Sequence, residues 1–168
     1  ENGYMYYAYS ASMAEKGRNC VYVFEAASNR QQPLTVIENV APAQATLQGV
    51  ITHGERLAVL ARGENCTYLR IYSIAEPTKP VLLSAIEQSG ACVQAGLVGE
   101  NVYVLSHFVF DPKAEQSVPA LAVNGEIHRA LPEHIVRLAG ANQAQYTVLG
   151  TVDVQTGKAA EDVAAVLG

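Results

Sequence analysis

His107, Asp111, His128, Arg129 and His134 are the residues whose types could do chemistry in one neighbourhood of the chain. All five fall in or beside a stretch rich in turn residues, and loops on a rigid scaffold are where binding groups concentrate. Two imidazoles and a carboxylate can hold a divalent metal. The two histidines inside the stretch, His128 and His134, lack the i, i+4 spacing of helical ligands, being six apart. Solvated loop histidines and an aspartate opening a turn (Asp111-Pro112) are the plainer reading. The five are therefore binding candidates on a loop, with neither metal nor cofactor expected.

The remaining chemistry is thinner. Glu76, Glu87 and Glu100 are the carboxylates beside turn signals. A glycosidase-like pair would have to face one cleft at roughly 5–9 Å, and spacing in the chain cannot supply that. There is no Gly-x-Ser-x-Gly and no phosphate loop. Ser106 and His107 are adjacent on a strand pattern, so their side chains point to opposite faces and do not form a nucleophile–base pair. No catalytic residue is assigned. Cys20, Cys66 and Cys92 lie 46 and 26 residues apart without a Cys-x-x-Cys pair. Free thiols packed as small hydrophobes are expected. Asn65-Cys66-Thr67 is a formal glycosylation sequon.

The elements that position these residues read as strands. Residues 66–106 hold four short apolar runs separated by turn signals, the pattern of antiparallel sheet. A weaker copy lies upstream: Cys20 matches Cys66 at a spacing of 46, Pro33 matches Pro80 at 47 and Gly54 matches Gly99 at 45. A period of roughly 40–50 residues carrying four strands points to propeller blades. Strands are expected at 3–8, 20–26, 33–40, 50–51, 56–61, 67–74, 80–86, 97–98, 101–106, 145–154 and 163–167. Gly54-Glu55 and Gly99-Glu100 suit type II′ hairpins, and Asn124-Gly125 a type I′ hairpin. Segment 80–86, opened by Pro80, is expected as an outer edge strand. Residues 131–138 could hold one helical turn starting at Pro132. The nine tyrosines mostly alternate inside strands, with Tyr4, Tyr6 and Tyr68 read as packing residues rather than a stacking platform.

The whole of residues 1–168 is read as a single all-β domain, a partial propeller of about three four-stranded antiparallel blades. Blade one covers about 1–40, blade two 41–88 and blade three 89–160, with an insertion at 107–144 and a last strand at 163–167. That last strand is equivalent in phase to a first, innermost strand. Three blades cannot close a ring that needs 4–8, so a second copy or the rest of a longer chain would complete it.

Tyr-Leu-Arg-Ile-Tyr-Ser-Ile-Ala-Glu-Pro-Thr-Lys-Pro-Val-Leu-Leu (68–83) resembles the LVIVD-type repeats of bacterial and archaeal cell-surface propellers. More closely, the chain resembles the secreted bacterial beta-propeller domain family distantly related to WD repeats. The resemblance rests on Gly99-Glu100-Asn101-Val102-Tyr103-Val104, a long insertion with Val118-Pro119-Ala120, Gly125-Glu126, Leu131-Pro132 and His134-Ile135, then Tyr146 to Asp153. Residues 65–168 match well and 3–60 loosely; segment 27–33 lacks the Pro-x-x-Pro turn. The resemblance implies export to the cell envelope or beyond and carries no catalytic residues.

The net charge of −5 argues against nucleic acid as partner. No apolar run is long enough to insert in a membrane as a helix. A non-catalytic interaction or scaffolding domain, with a protein or cell-envelope component as partner, is the expected function. The alternative is part of a propeller-type enzyme, carbohydrate-active for example, whose site needs residues outside this chain.

Overall fold

Alternating apolar residues and closely spaced Gly, Pro and Asn turns give a chain of short strands. The computed structural model describes residues 3–10, 18–27, 32–111, 113, 118–140, 145–160 and 163–168. Fourteen strands and no α-helix are found among them. β1 (Tyr4–Ser10), β2 (Asn19–Glu25) and β3 (Thr35–Ile37) form a three-stranded sheet in that order. β4 (Thr46–His53), β5 (Arg56–Arg62), β6 (Cys66–Ser73) and β7 (Val81–Ser89) form a meander in the second sheet. β8 (Ala91–Val98), β9 (Asn101–Val109), β13 (Gln145–Asp153) and β14 (Ala164–Leu167) form the corresponding meander in the third.

The stretch between β9 and β13 supplies β10 (Ala120–Val123), β11 (Glu126–Arg129) and β12 (Ile135–Arg137). These strands are shared between two sheets. The β10–β11 hairpin extends the second sheet beyond β7, and β12 adds to the third beside β14, in parallel. The second and third sheets therefore hold six and five strands.

The turns obey their sequence chemistry. Gly54 (φ 56°) and Gly99 (φ 60°) are left-handed while the glutamates after them are not, as type II′ hairpins require. Asn124 (φ 52°) and Gly125 (φ 89°) are both left-handed, which gives type I′. The first strand of each meander carries a bulge at the same phase, at Leu47/Gly49 and Cys92/Gln94. No signal in the residue types announces those bulges.

Several expectations are corrected. Segment 80–86 is not an edge: β7 is paired on both sides, by β6 and β10, and β11 is outermost. The last strand is not innermost but lies between β13 and β12. The insertion starts after Val109 rather than at 107, because β9 pairs with β13 along its full length. The expected single helical turn starting at Pro132 is present, as a 3-10 turn at Pro132–His134, after which the β-branched Ile135-Val136 pair leaves for β12. The joining segment before residue 18 and the turn after Ala27 lie largely outside the described residues.

Two apolar layers hold the sheets in a stack. Val21, Tyr6 and Ile37 of the first sheet pack on Leu57, Val59 and Tyr72 of the second. On its other face Ala58, Leu60, Leu69 and Ile71 pack on Val102, Val104, Val148 and Val152 of the third. The second sheet is thus apolar on both faces, which explains why neither face of 67–74 is cleanly polar.

Candidate functional site

Cross-strand register on the outer half of the second sheet fixes which side chains share a face. Tyr68, Glu87, Ala122 and Ile127 stand in one row across β6, β7, β10 and β11. The next row, Thr67, Gln88, Leu121 and His128, points the opposite way, toward the third sheet. This alternation is the direct result of the pleat, and it separates two clefts.

The larger cleft, about 550 Å³, opens where the hairpin meets the end of β9. Ala120, Ala122, Ile127, Phe108 and Val109 give it apolar walls; Cys66, Gln88 and Ser89 line it deeper, and Asn65, Glu87 and Asp111 carry its polar edge. Phe108 is braced by Tyr146 at a ring separation of 6.1 Å. The Glu87 Oε1 oxygen meets Arg70 Nη2 at 3.2 Å, and the Arg70 guanidinium lies 5.8 Å from the Tyr68 ring centroid. Asp111 Oδ1 accepts the Lys113 backbone N–H, so its carboxylate doubles as a turn residue.

The chemistry of this cleft is recognition. Burial, reinforced by the Glu87 carboxylate, pushes the Cys66 thiol up to about 11, against the smaller opposing pulls of Tyr68, Arg70 and the Gln88 backbone. A thiol is not a nucleophile at neutral pH in that state. Burial raises the Tyr68 phenol as well. Gln88 is buried and structural: its Nε2 donates to Ser106 Oγ (2.8 Å), the Val104 carbonyl (3.1 Å) and the Val148 carbonyl (3.3 Å). Ser106 Oγ donates onward to the Ser89 carbonyl at 2.7 Å. Ser106 is wholly buried and the adjacent His107 is exposed, so the two do face opposite ways.

The smaller groove, about 290 Å³, lies on the other face of the hairpin. Val123, Asn124, Glu126, His128, Lys158 and Ala159 line it.

The five sequence candidates are not assembled into one site. Asp111 lines the larger cleft and His128 the smaller groove. Arg129 is exposed at the end of β11, and His107 is exposed on the outer face of the third sheet. His134 is half-buried in the 3-10 turn. Among the described residues no group of three His, Cys, Asp or Glu could hold a metal ion. Residue type reads Cys66 as a small hydrophobe and marks neither Phe108 nor Ile127, yet all three line the larger cleft. The Asn-Gly hairpin was the usable signal for Ile127; nothing local marks Cys66 or Phe108, which converge from strands far apart in sequence. The three cysteines are free, with Cys20 and Cys92 buried and Cys66 half-buried.

Stacked meandering sheets, the second and third sharing phase at their turns and bulges, define a repeat protein built of β-sheet sectors. The chain belongs to the β-propeller domain family, whose profile matches residues 4–168. No curated protein and no solved structure matches the chain.

Proposed function

We propose that this chain is a non-catalytic interaction or scaffolding domain of a secreted or cell-envelope protein, with the strands inserted between β9 and β13 as its binding surface. The observation that carries the reading is a set of large apolar side chains left exposed along that insertion. Ile127, Leu131, Val136 and Leu138 are each about half exposed, and Ile127 also lines the cleft with apolar walls. Exposed apolar surface next to a polar rim is characteristic of a recognition site. The partner is a protein or another envelope component. The extracytoplasmic setting is carried over from the resemblance of the 68–83 repeat to exported families.

In this reading the three sheets are three blades of a larger ring: the first holds three strands, and the second and third each hold a four-strand unit with insertion strands laid on the outer edge. The uncovered end faces support it. Tyr103 is 37% exposed, while Ala58, which is 45 residues earlier at the same phase, is 1% exposed. Leu149 is 39% exposed, while Leu69, which occupies the corresponding place on β6, is 2% exposed. The opposite end presents Met5 and Tyr7. Further blades, from the same chain or a second copy, would bury these residues.

The test is to cross-link the purified domain to the envelope and secreted fractions of its source organism, then titrate the captured partner in purified form. Against Ile127→Asp/Leu131→Asp, affinity is expected to fall about tenfold or more, as for exposed anchors of an interface. Unchanged affinity, or turnover of the captured molecule, would overturn the proposal.

A further inference from the structure

We infer that β11 is a strand-addition site: an extended, lysine- or arginine-bearing segment of the partner pairs with its open edge and lays alternate side chains into the two clefts. The inference rests on the interaction-domain reading above and names the partner's chemistry.

The backbone makes the first argument. Among the described residues β11 ends the six-stranded sheet and is paired only with β10. In a two-residue type I′ hairpin the closing pair, Val123 and Glu126, is hydrogen-bonded, and the pairing alternates from there. Leu121 and His128 are then the next bonded pair. The N–H and C=O groups of Ile127 and Arg129 therefore turn outward, away from β10. No turn or loop hydrogen bond among the described residues takes them up. Four unpaired groups on an extended edge are the template that β-augmentation uses.

The side chains make the second argument. A strand added to β11 places residues opposite Ile127 and Arg129 over the larger cleft, and the residue opposite His128 over the smaller groove. The larger cleft offers apolar walls from Phe108, Val109, Ile127 and two alanines, with Glu87 and Asp111 at its edge. Arg70 meets one oxygen of Glu87 and the Lys113 backbone N–H takes Asp111 Oδ1; the second oxygen of each carboxylate faces a cation on the added strand. An apolar stem ending in a positive charge matches that combination. The smaller groove, with Asn124, Glu126, His128 and Lys158, suits a short hydroxyl side chain. The net charge of −5 favours approach of a basic segment.

A synthetic heptapeptide alternating threonine and lysine is the probe, read by amide NMR and hydrogen exchange on the whole chain. Binding is expected to shift and slow the Ile127 and Arg129 amides while leaving those of Glu126 and His128, which already face β10. Methylating alternate peptide nitrogens should abolish binding in one phase and spare it in the other. Ile127→Pro removes the outward N–H on an edge, where proline is tolerated, and should weaken binding more than tenfold, with Ile127→Val retaining it. Asp111→Asn, or glutamate in place of the peptide's lysines, should weaken it about threefold or more. Peptide binding that leaves the two outward amides unchanged overturns strand addition. So does absence of peptide binding when Ile127→Asp/Leu131→Asp still weakens the captured partner; in that case the interaction-domain reading survives. Loss of both responses overturns both.

Discussion

Cys66 shows how position, rather than residue type, sets chemistry in this chain. It opens β6 in a repeat where cysteine reads as a small hydrophobe, yet it lines the larger cleft beside Glu87 and Tyr68. Burial and the neighbouring carboxylate both penalise the thiolate, which holds the group up to about 11. The sign follows directly. An unfolded cysteine ionises at lower pH, so the unfolded state binds fewer protons as pH rises above its ordinary range. Folding stability is complete below that range and is lost as pH climbs toward 11. The buried Tyr72 phenol and Cys92 thiol, both raised by burial, add in the same direction. Thermal unfolding followed from neutral pH to pH 11 should show a falling Tm, with a smaller fall in Cys66→Ser. In the folded protein, alkylation at neutral pH should be slower at Cys66 than in a denatured control. Asp153 behaves in the opposite sense. The Thr156 backbone N–H holds its carboxylate below the usual range, so its contribution is lost on acidification.

At the scale of elements, the junction between the second and third sheets depends on one polar side chain crossing an apolar layer. Gln88 leaves β7 and reaches carbonyls on β9 and β13. Gly150 on β13 leaves room for it: a Cβ there would collide with the Gln88 carboxamide oxygen and come within 3.0 Å of Leu121. Gly150→Ala must therefore displace a buried hydrogen-bonded amide, and overpacking of that kind costs about 1–3 kcal/mol. Urea unfolding should show a lower midpoint with an unchanged slope. A change below a few tenths would mean that Gln88 moves aside freely and that the junction does not depend on it. The insertion serves the same junction from outside. Its hairpin caps β7 and its last strand caps β14, so one connection covers the outer edges of two sheets. Covered edges resist unwanted pairing, and the cover ends at β11 in the second sheet and at β12 in the third.

At the scale of the whole molecule, two apolar layers are closed and two end faces are open. The contrast between Leu69 and Leu149, equivalent places on neighbouring sheets, sets a clear expectation. Leu149→Asp should change the stability of this chain by about 0.5 kcal/mol or less, as for surface positions, and should reduce any concentration-dependent rise in mass seen by light scattering. Leu69→Asp should prevent folding, because it buries an unpaired charge between two sheets. A strongly destabilised Leu149→Asp would mean that the end face is already packed in this chain.

Much of the fold was legible in the residues. The Gly-Glu and Asn-Gly turns name their own geometry because only certain residues accept a left-handed backbone, and the strands announce themselves by apolar alternation. The period gave the repeat phase of β4–β7 and of β8–β9. The sheet edges lie elsewhere than the residues suggest. Whether β7 is outermost, or β14 innermost, depends on where the insertion strands dock, and docking is a long-range event that leaves no local mark. The candidate site was less legible still. His107, Asp111, His128, Arg129 and His134 are close in the chain but point to different faces, since a pleated strand and a turn disperse neighbours. The cleft is lined instead by residues from β6, β7, β9, β10 and β11. By itself, the sequence determined the all-β class, the turns and the repeat, because those follow from backbone preference and short-range pattern. Which strand ends the second sheet, which side chains share a cleft and which faces are left open are set by long-range packing, because they depend on contacts between segments far apart along the chain.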